Sequence, residues 1–181
     1  MDRNVIFPIL ETDRLRLRQF SEKDIDNIFK GLSHPDVIKY YGISFSTLEA
    51  TKEQLEWFQN LENDQTGIWW AIEIKTTGVF CGAGGFNNLD NLHKKAEIGF
   101  WLLPDFWGRG YMKEAMSEIC DFGFKKLKLH RIEGFVETEN SNCKSGLKKL
   151  DFQYEGTMRD CEIKKGGYIS LDLYSKLNLR T

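Results

Sequence analysis

From Phe100 to Ala115 the chain reads Phe-Trp-Leu-Leu-Pro-Asp-Phe-Trp-Gly-Arg-Gly-Tyr-Met-Lys-Glu-Ala, and few local folds accommodate such a run. An apolar strand stops at Pro104, Gly108 and Gly110 turn the chain, and a helix begins. Beyond the turn, Met112, Ala115, Met116, Ile119, Cys120 and Gly123 recur at i, i+3, i+4, i+7, i+8 and i+11, with Lys113, Glu114, Ser117, Glu118 and Asp121 left outside. That period gives one buried helical face, so the turn is pinned between a core strand and a core-packed helix. Glycines let backbone amides approach an anion, and the first helical turn offers unpaired donors at the positive end of its dipole. The residues therefore fit a phosphate cradle; a plain tight strand-to-helix turn fits them too. There is no Gly-x-x-x-x-Gly-Lys-Ser/Thr, and Lys113 stands where a dinucleotide fingerprint needs glycine, so both common nucleotide loops are set aside.

A length of 181 residues with 41% hydrophobic and 13% aromatic content suits one domain, 1–181, with a substantial core over about 10–177. The net charge of −2 gives no electrostatic reason to expect nucleic acid or an anionic membrane as partner. Cys81, Cys120, Cys143 and Cys161 lack any C-x-x-C pattern, and His34, His93 and His130 are scattered, so neither a metal site nor a disulfide framework is expected. No apolar run approaches the ~18 residues of a membrane span and no leader pattern opens the chain, which makes the cytoplasm the expected location.

Elsewhere, alternation over Arg14–Arg18 predicts a strand, and Ser21 with Asp24 resembles an N-cap before the periodic run Ile25, Ile28, Phe29, Leu32. His34-Pro35 ends that helix, and a second is expected from about Thr47 to Leu61 with Leu48, Leu55 and Phe58 on one stripe. Strands follow at 68–74, 79–86 and 96–103, joined as hairpins by Thr76–Gly78 and by Asn87–Asn91. After the loop helix come a strand over 131–138, a helix over about 141–150, and strands near 152–157 and 168–173. The order β-α-α-β-β-β-α-β-α-β-β implies a mixed sheet with helices on both faces.

This order resembles the GNAT superfamily of acetyl-CoA-dependent N-acetyltransferases, and within it the RimJ/RimL-like ribosomal-protein N-terminal acetyltransferases. The resemblance spans Leu10 to Leu177. It rests on Thr12-Asp-Arg-Leu-Arg-Leu-Arg18, on Lys95–Trp101 running into Phe106–Ala115, and on Asn140 followed by Leu147-Lys-Lys-Leu-Asp-Phe152. It implies an α/β (α+β) fold, a mixed and largely antiparallel sheet of six or seven strands whose central pair splays. It also implies that acetyl-CoA is the cosubstrate, with no metal. The family's loop is Gln/Arg-x-x-Gly-x-Gly/Ala; Gly108 and Gly110 fit, while Asp105 takes the Gln/Arg place and is expected to face solvent. The resemblance assigns the coenzyme to the splayed stretch Trp101, Leu102 and Leu103, to the loop and first helical turn at Trp107, Gly108, Arg109, Gly110, Tyr111 and Met112, and to Asn140. For Arg109 a solvated loop charge, and for Asn140 a plain helix cap, are the competing roles.

An ammonium has no lone pair, so transfer to an amine needs a proton acceptor. The matching family position for a base is often a carboxylate on the strand leading into the splay, and Glu97 is the acid within Lys94–Leu103. A structural pair with Lys94, Lys95 or a neighbouring arginine is the alternative. Backbone amides around Leu102 are the implied donors to the developing oxyanion. Cys143 and Ser145 are the candidates for protonating the leaving thiolate, although Cys143 shares an inward face with Gly146, Leu147 and Leu150, where burial as a small hydrophobe is the commoner role of a cysteine. Tyr40, Tyr41 and Tyr168 are candidates for the acceptor side, core packing being the competing role for the first two. No Cys-His or Ser-His constellation suggests a covalent acyl-enzyme. The acceptor is expected to be a primary amine, first a protein N-terminus, alternatively a polyamine, amino sugar or aminoglycoside. A non-catalytic acyl-CoA-binding module, and a monomer or homodimer, also fit the residues.

Overall fold

A computed structural model describes residues 6–179. Its strands are β1 (Leu10–Glu11), β2 (Leu15–Arg18), β3 (Ile68–Ile74), β4 (Phe80–Asp90), β5 (Lys95–Leu102), β6 (Arg131–Glu137), β7 (Gln153–Lys164) and β8 (Gly167–Leu177). The helices are α1 (Ile25–Leu32), α2 (Pro35–Ile38), α3 (Leu48–Asn63), α4 (Tyr111–Lys125) and α5 (Ser141–Lys149). The strands form one eight-stranded sheet in the order β1-β2-β3-β4-β5-β6-β8-β7. Every neighbouring pair is antiparallel except β5–β6, which is parallel. The strand count exceeds the expected six or seven because Leu10 and Glu11 pair with Leu17 and Arg16, too short a stretch to leave an alternating signature.

Period-two alternation sends neighbouring residues to opposite layers, as the adjacent Trp69 and Trp70 illustrate. Trp70, Ile72, Phe86, Ile98, Leu102, Ile132 and Val136 pack with Met116 and Ile119 of α4 and Leu147 of α5. Trp69, Ala71, Ala83, Trp101 and Leu103 pack with Ile28 and Leu32 of α1 and Leu55 and Phe58 of α3. The buried face of α4 holds Ala115, Met116, Ile119, Cys120 and Gly123, as its period implies. The α3 stripe differs from expectation: Leu48 is exposed, and Thr51, Gln54, Leu55, Phe58 and Leu61 are buried. Leu48 is the first residue after the Thr47 cap, whose hydroxyl accepts from Ala50 N at 3.1 Å, so it lies off the end of the packed face.

His34-Pro35 ends α1 and at once begins another helix, with His34 Nδ1 accepting from Asp36 N and Pro35 in the first turn, where its missing N–H is harmless. The tract Asn87–Asn91, expected as a turn, is mostly strand: β4 runs on to Asp90 through an irregularity between Asn87 and Asp90, with Asn88 at φ +52°. Asparagine tolerates that left-handed conformation, so a composition that reads as a turn here makes a bulge.

The layer carrying α1 is tied to the sheet by a buried ion cluster. Arg18 donates to both carboxylate oxygens of Asp24 at 2.8 Å and to Glu73 Oε2 at 2.6 Å. Burial alone would raise the Asp24 carboxyl, but hydrogen bonds from Arg18 and Ser21 outweigh it and hold it below its ordinary value. Arg18→Met is expected to destabilise the fold by about 3 kcal/mol, because the buried Asp24 loses its cation and Glu73 is left with the longer 3.9 Å contact to Arg16. The Asp24 contribution, full above the unfolded carboxyl's pKa of ~3.9, fades as pH falls through the lower folded value. Urea titrations at pH 7 and pH 3 check this: the difference between wild type and variant should shrink at the lower pH.

Candidate active site

Pairing between β5 and β6 covers Lys95–Arg131, Ala96–Ile132 and Glu97–Glu133 and stops there. β6 continues to Glu137 along β8, and β5 continues to Leu102 along β4, so the central strands part and leave a cleft. Leu103 N donates to Cys81 O at 2.9 Å, toward β4. By alternation the polar backbone groups of Phe100 and Leu102 face the cleft. The Trp107 indole confirms that direction for Leu102, donating to its carbonyl at 2.8 Å.

The loop at the end of β5 is open to solvent from Trp107 to Gly110. Gly108 and Gly110 adopt φ of +72° and +78°, and Gly110 caps α4 in the left-handed conformation. The amides of Tyr111, Met112 and Lys113 therefore begin α4 without carbonyl partners and point out over the loop. What fastens this turn lies far away in sequence. Arg14 Nη1 donates to Arg109 O at 3.0 Å, and Arg14 Nε to Glu114 Oε2 at 2.7 Å, while Thr12 Oγ1 donates to Glu114 Oε1 at 2.5 Å. Burial would raise the Glu114 carboxyl, but these partners hold it below its ordinary value. Its charge beside an anion cradle is offset by Arg14, whose guanidinium also lies 4.5 Å from the Tyr111 ring. Arg109 makes no ion pair among the described residues and sits 6.0 Å from the Phe106 ring. Asp105 is 77% exposed and lies 3.8 Å from Lys30.

At the far wall of the cleft, Asn140 caps α5 with its Oδ1, accepting from Cys143 N at 3.1 Å, which leaves its amide nitrogen unengaged by this contact. Burial pushes the Cys143 thiol up to about 12. A thiol that weak stays neutral at pH 7 and can hydrogen-bond a coenzyme thiolate, but full proton transfer to a group near ~8.5 is unfavourable. Ser145 is exposed on the next turn.

Glu97 lies on the face shared by Trp101 and Leu103, opposite α4 and α5. Two of its expected cationic partners are engaged elsewhere, Lys95 and Arg131 both binding Glu133 at 3.4 and 2.7 Å, and neither they nor Lys94 forms an ion pair with Glu97 among the described residues. Glu97 instead accepts from Asn88 Nδ2 at 2.9 Å. Tyr41 borders the same layer, and burial together with the Glu97 charge raises its phenol well above the usual tyrosine range. Tyr40 is half-buried under Lys39 Nζ, 5.0 Å from its ring. Lys164, at the end of β7, reaches Lys39 O at 2.7 Å and pairs with Glu137, closing one side of this face. Tyr168 is 71% exposed and shares the strand face of Ser170, Asp172 and Tyr174, the last of which packs in the layer of α4 and α5, so it is not gathered with Tyr41. Arg14 and Asn88 were missed as site residues because each works through a partner distant in sequence or through a bulge. Among the described residues no group of His, Cys, Asp and Glu could hold a metal, and no helix is long and apolar enough to cross a membrane.

The Trp107 contact carries a testable consequence. Trp107→Phe keeps an aromatic ring but loses the donor to Leu102, freeing the loop from β5, and KM for acetyl-CoA should rise about three- to tenfold with kcat little changed. Steady-state kinetics with acetyl-CoA varied checks it.

Residues 14–153 match the family described as "Acetyltransferase (GNAT) domain". The chain is 36% identical over 171 residues to YoaA of Bacillus subtilis (strain 168), described as an uncharacterized N-acetyltransferase, covering 94% of this chain and 97% of that protein. Among solved structures, a GNAT-family acetyltransferase from Bacillus anthracis superposes with a TM-score of 0.84 at 24% identity, covering 94% of this chain and 98% of that one. RimL, the ribosomal L7/L12 α-N-protein acetyltransferase in complex with coenzyme A, gives a TM-score of 0.84 at 19% identity, with 94% and 98% covered.

Proposed function

The chain belongs to the GNAT acetyltransferase family, and from that premise we propose that it passes acetyl from acetyl-CoA directly to the α-amine of a protein N-terminus. One observation carries the reading: a sheet that opens between β5 and β6 directly beside a left-handed Gly-x-Gly turn at the head of α4. The site fits the coenzyme. A Cβ at Gly108 would meet nothing within 4 Å, so the glycine is there for its backbone angle, which presents the loop to a diphosphate. The amides of Phe100 and Leu102 are free to pair with an extended pantetheine chain as an added strand would.

When bound, acetyl-CoA supplies an acyl group already activated as a thioester. The chain's residues do the rest. Tyr111, Met112 and Lys113 amides hold the diphosphate, and cleft-facing amides near Leu102 stabilise negative charge on the acyl oxygen. Glu97, oriented by Asn88, takes the ammonium proton, directly or through a water. Asn140 fits the pantetheine through its amide nitrogen, and the Cys143 S–H fits a hydrogen bond to the departing sulfur. Tyr40 and Tyr41 wall the acceptor side, without Tyr168. The RimL likeness supports an N-terminal acceptor by its printed activity alone. A cytoplasmic location is part of the proposal, supported by four cysteines that are all unpaired.

Thiol release from acetyl-CoA, measured against peptides with free N-termini, polyamines, amino sugars and aminoglycosides, tests it. Turnover confined to peptides is expected. Turnover confined to a small amine would overturn the acceptor, and silence across the panel with intact acetyl-CoA binding would leave a binding module.

A further inference from the structure

Two buried side-chain donors lack any partner among the described residues, the indole N–H groups of Trp69 and Trp101, and both belong to the layer on the Glu97 face. Burying a donor without an acceptor is costly, so each such group calls for a partner or a role. The sequence prepares the position of Trp69 across three strands. Trp69 pairs with Gly85, and Gly85 with Gly99. A Cβ on Gly85 would stand 2.6 Å from the indole Cγ, and one on Gly99 would stand 2.6 Å from Cζ2 and 2.7 Å from Cη2. Without those atoms the ring lies across β4 and brings its outer edge over β5 at Gly99. Nε1 is bonded to Cε2, the ring neighbour of Cζ2, so the N–H lies on the side of the ring that adjoins this edge. Trp57 and Phe58 of α3 hold the ring at centroid distances of 5.7 and 5.6 Å. Asn87 Oδ1 lies 3.7 Å from the same point above Gly99.

We propose that Trp69 is a specificity residue of the acceptor pocket, its indole N–H donating to the carbonyl oxygen beside the reacting amine. The proposal rests on the acetyl transfer proposed above and deepens it. Glu97 and Gly99 are next neighbours on one face of β5, about 7 Å apart along the strand. An amine and its own carbonyl, carried on adjacent carbons, can meet neighbouring groups on that face together, each through a hydrogen bond of about 2.9 Å. A polyamine carries donors and no carbonyl, so it would leave the indole unpaired, and a site built to pair a group rejects the analogue that lacks it.

The test uses the full chain with coenzyme A bound and 15N-indole labelling, the Trp69 resonance being assigned through its contacts with Trp57 and Phe58. Saturation with an alanyl peptide should move the Trp69 indole proton downfield, whereas spermidine should leave it in place. In parallel, Trp69→Phe should lower kcat/KM for the peptide about tenfold and leave any turnover of spermidine within about twofold. An indole signal unmoved by the peptide, or equal losses for both amines, overturns the proposal. Should the variant fail to fold, the wild-type resonance decides alone. Wild-type silence toward every amine is failure of the proposed function; an unmoved indole in a protein that does acetylate peptides is failure of this inference only.

Discussion

Replacing Glu97 with glutamine is expected to lower kcat about a hundredfold with an N-terminal peptide as acceptor, while KM for acetyl-CoA stays within about twofold. The substitution keeps the shape and an oxygen for Asn88 Nδ2 to donate to, so the local hydrogen bond survives and only the proton acceptor is lost. The pH dependence separates a base from a structural partner. Without an internal base the rate must follow the fraction of acceptor that is already neutral, so the variant should regain activity as pH climbs through the α-amine's ~8. Wild type should level off at lower pH. An unchanged kcat and profile would make Glu97 a structural partner of the β4 bulge and return the proton to solvent. That outcome is the harder one to reconcile with the ion pairing, since Lys95 and Arg131 are both committed to Glu133 and Glu97 forms no ion pair among the described residues.

Gly110→Val should raise KM for acetyl-CoA about thirtyfold, and the reason differs from crowding. A Cβ at this position would find only Arg14 Nη2, at 3.5 Å, which is ordinary contact. The obstacle is φ of +78°, which a β-branched residue avoids at a cost of about 2 kcal/mol. The loop would relax toward negative φ and swing the first amides of α4 off the diphosphate. Gly110→Asn should therefore recover much of the affinity, because asparagine visits the left-handed region where valine does not. Calorimetric titration with coenzyme A across the three proteins checks the order glycine, asparagine, valine. Equal binding by all three would place the diphosphate elsewhere.

Much of the architecture was legible because it rests on local periods. The apolar spacing of α4 matches its buried face, and the alternating strands fell close to their observed positions, since both patterns are the direct imprint of a core on one side. The elements misjudged were those with weak or two-sided signals. β1 is a two-residue pairing, α2 a four-residue helix begun by the same proline that ended α1, and the bulged end of β4 has the asparagine content of a turn. β7, expected to be short, runs 12 residues, nearly all exposed, with little apolar pattern to mark its length.

For the site, sequence determined which residues could make a phosphate turn and an amine-facing base, because glycine angles, helix termini and carboxylate chemistry are properties of short stretches. It also carried the family resemblance through three ordered motifs. Tertiary structure alone decided what those residues meet. Only the parting of β5 from β6 aims the amides of Phe100 and Leu102 into a cleft. Only the approach of β2 to α4 brings Arg14 onto Glu114 and the loop, a hundred positions away. And only three strands in register lay Trp69 over Gly85 and Gly99 beside Glu97. Those facts depend on contacts between distant segments, and such contacts are fixed by the packing of whole layers, which no local period records.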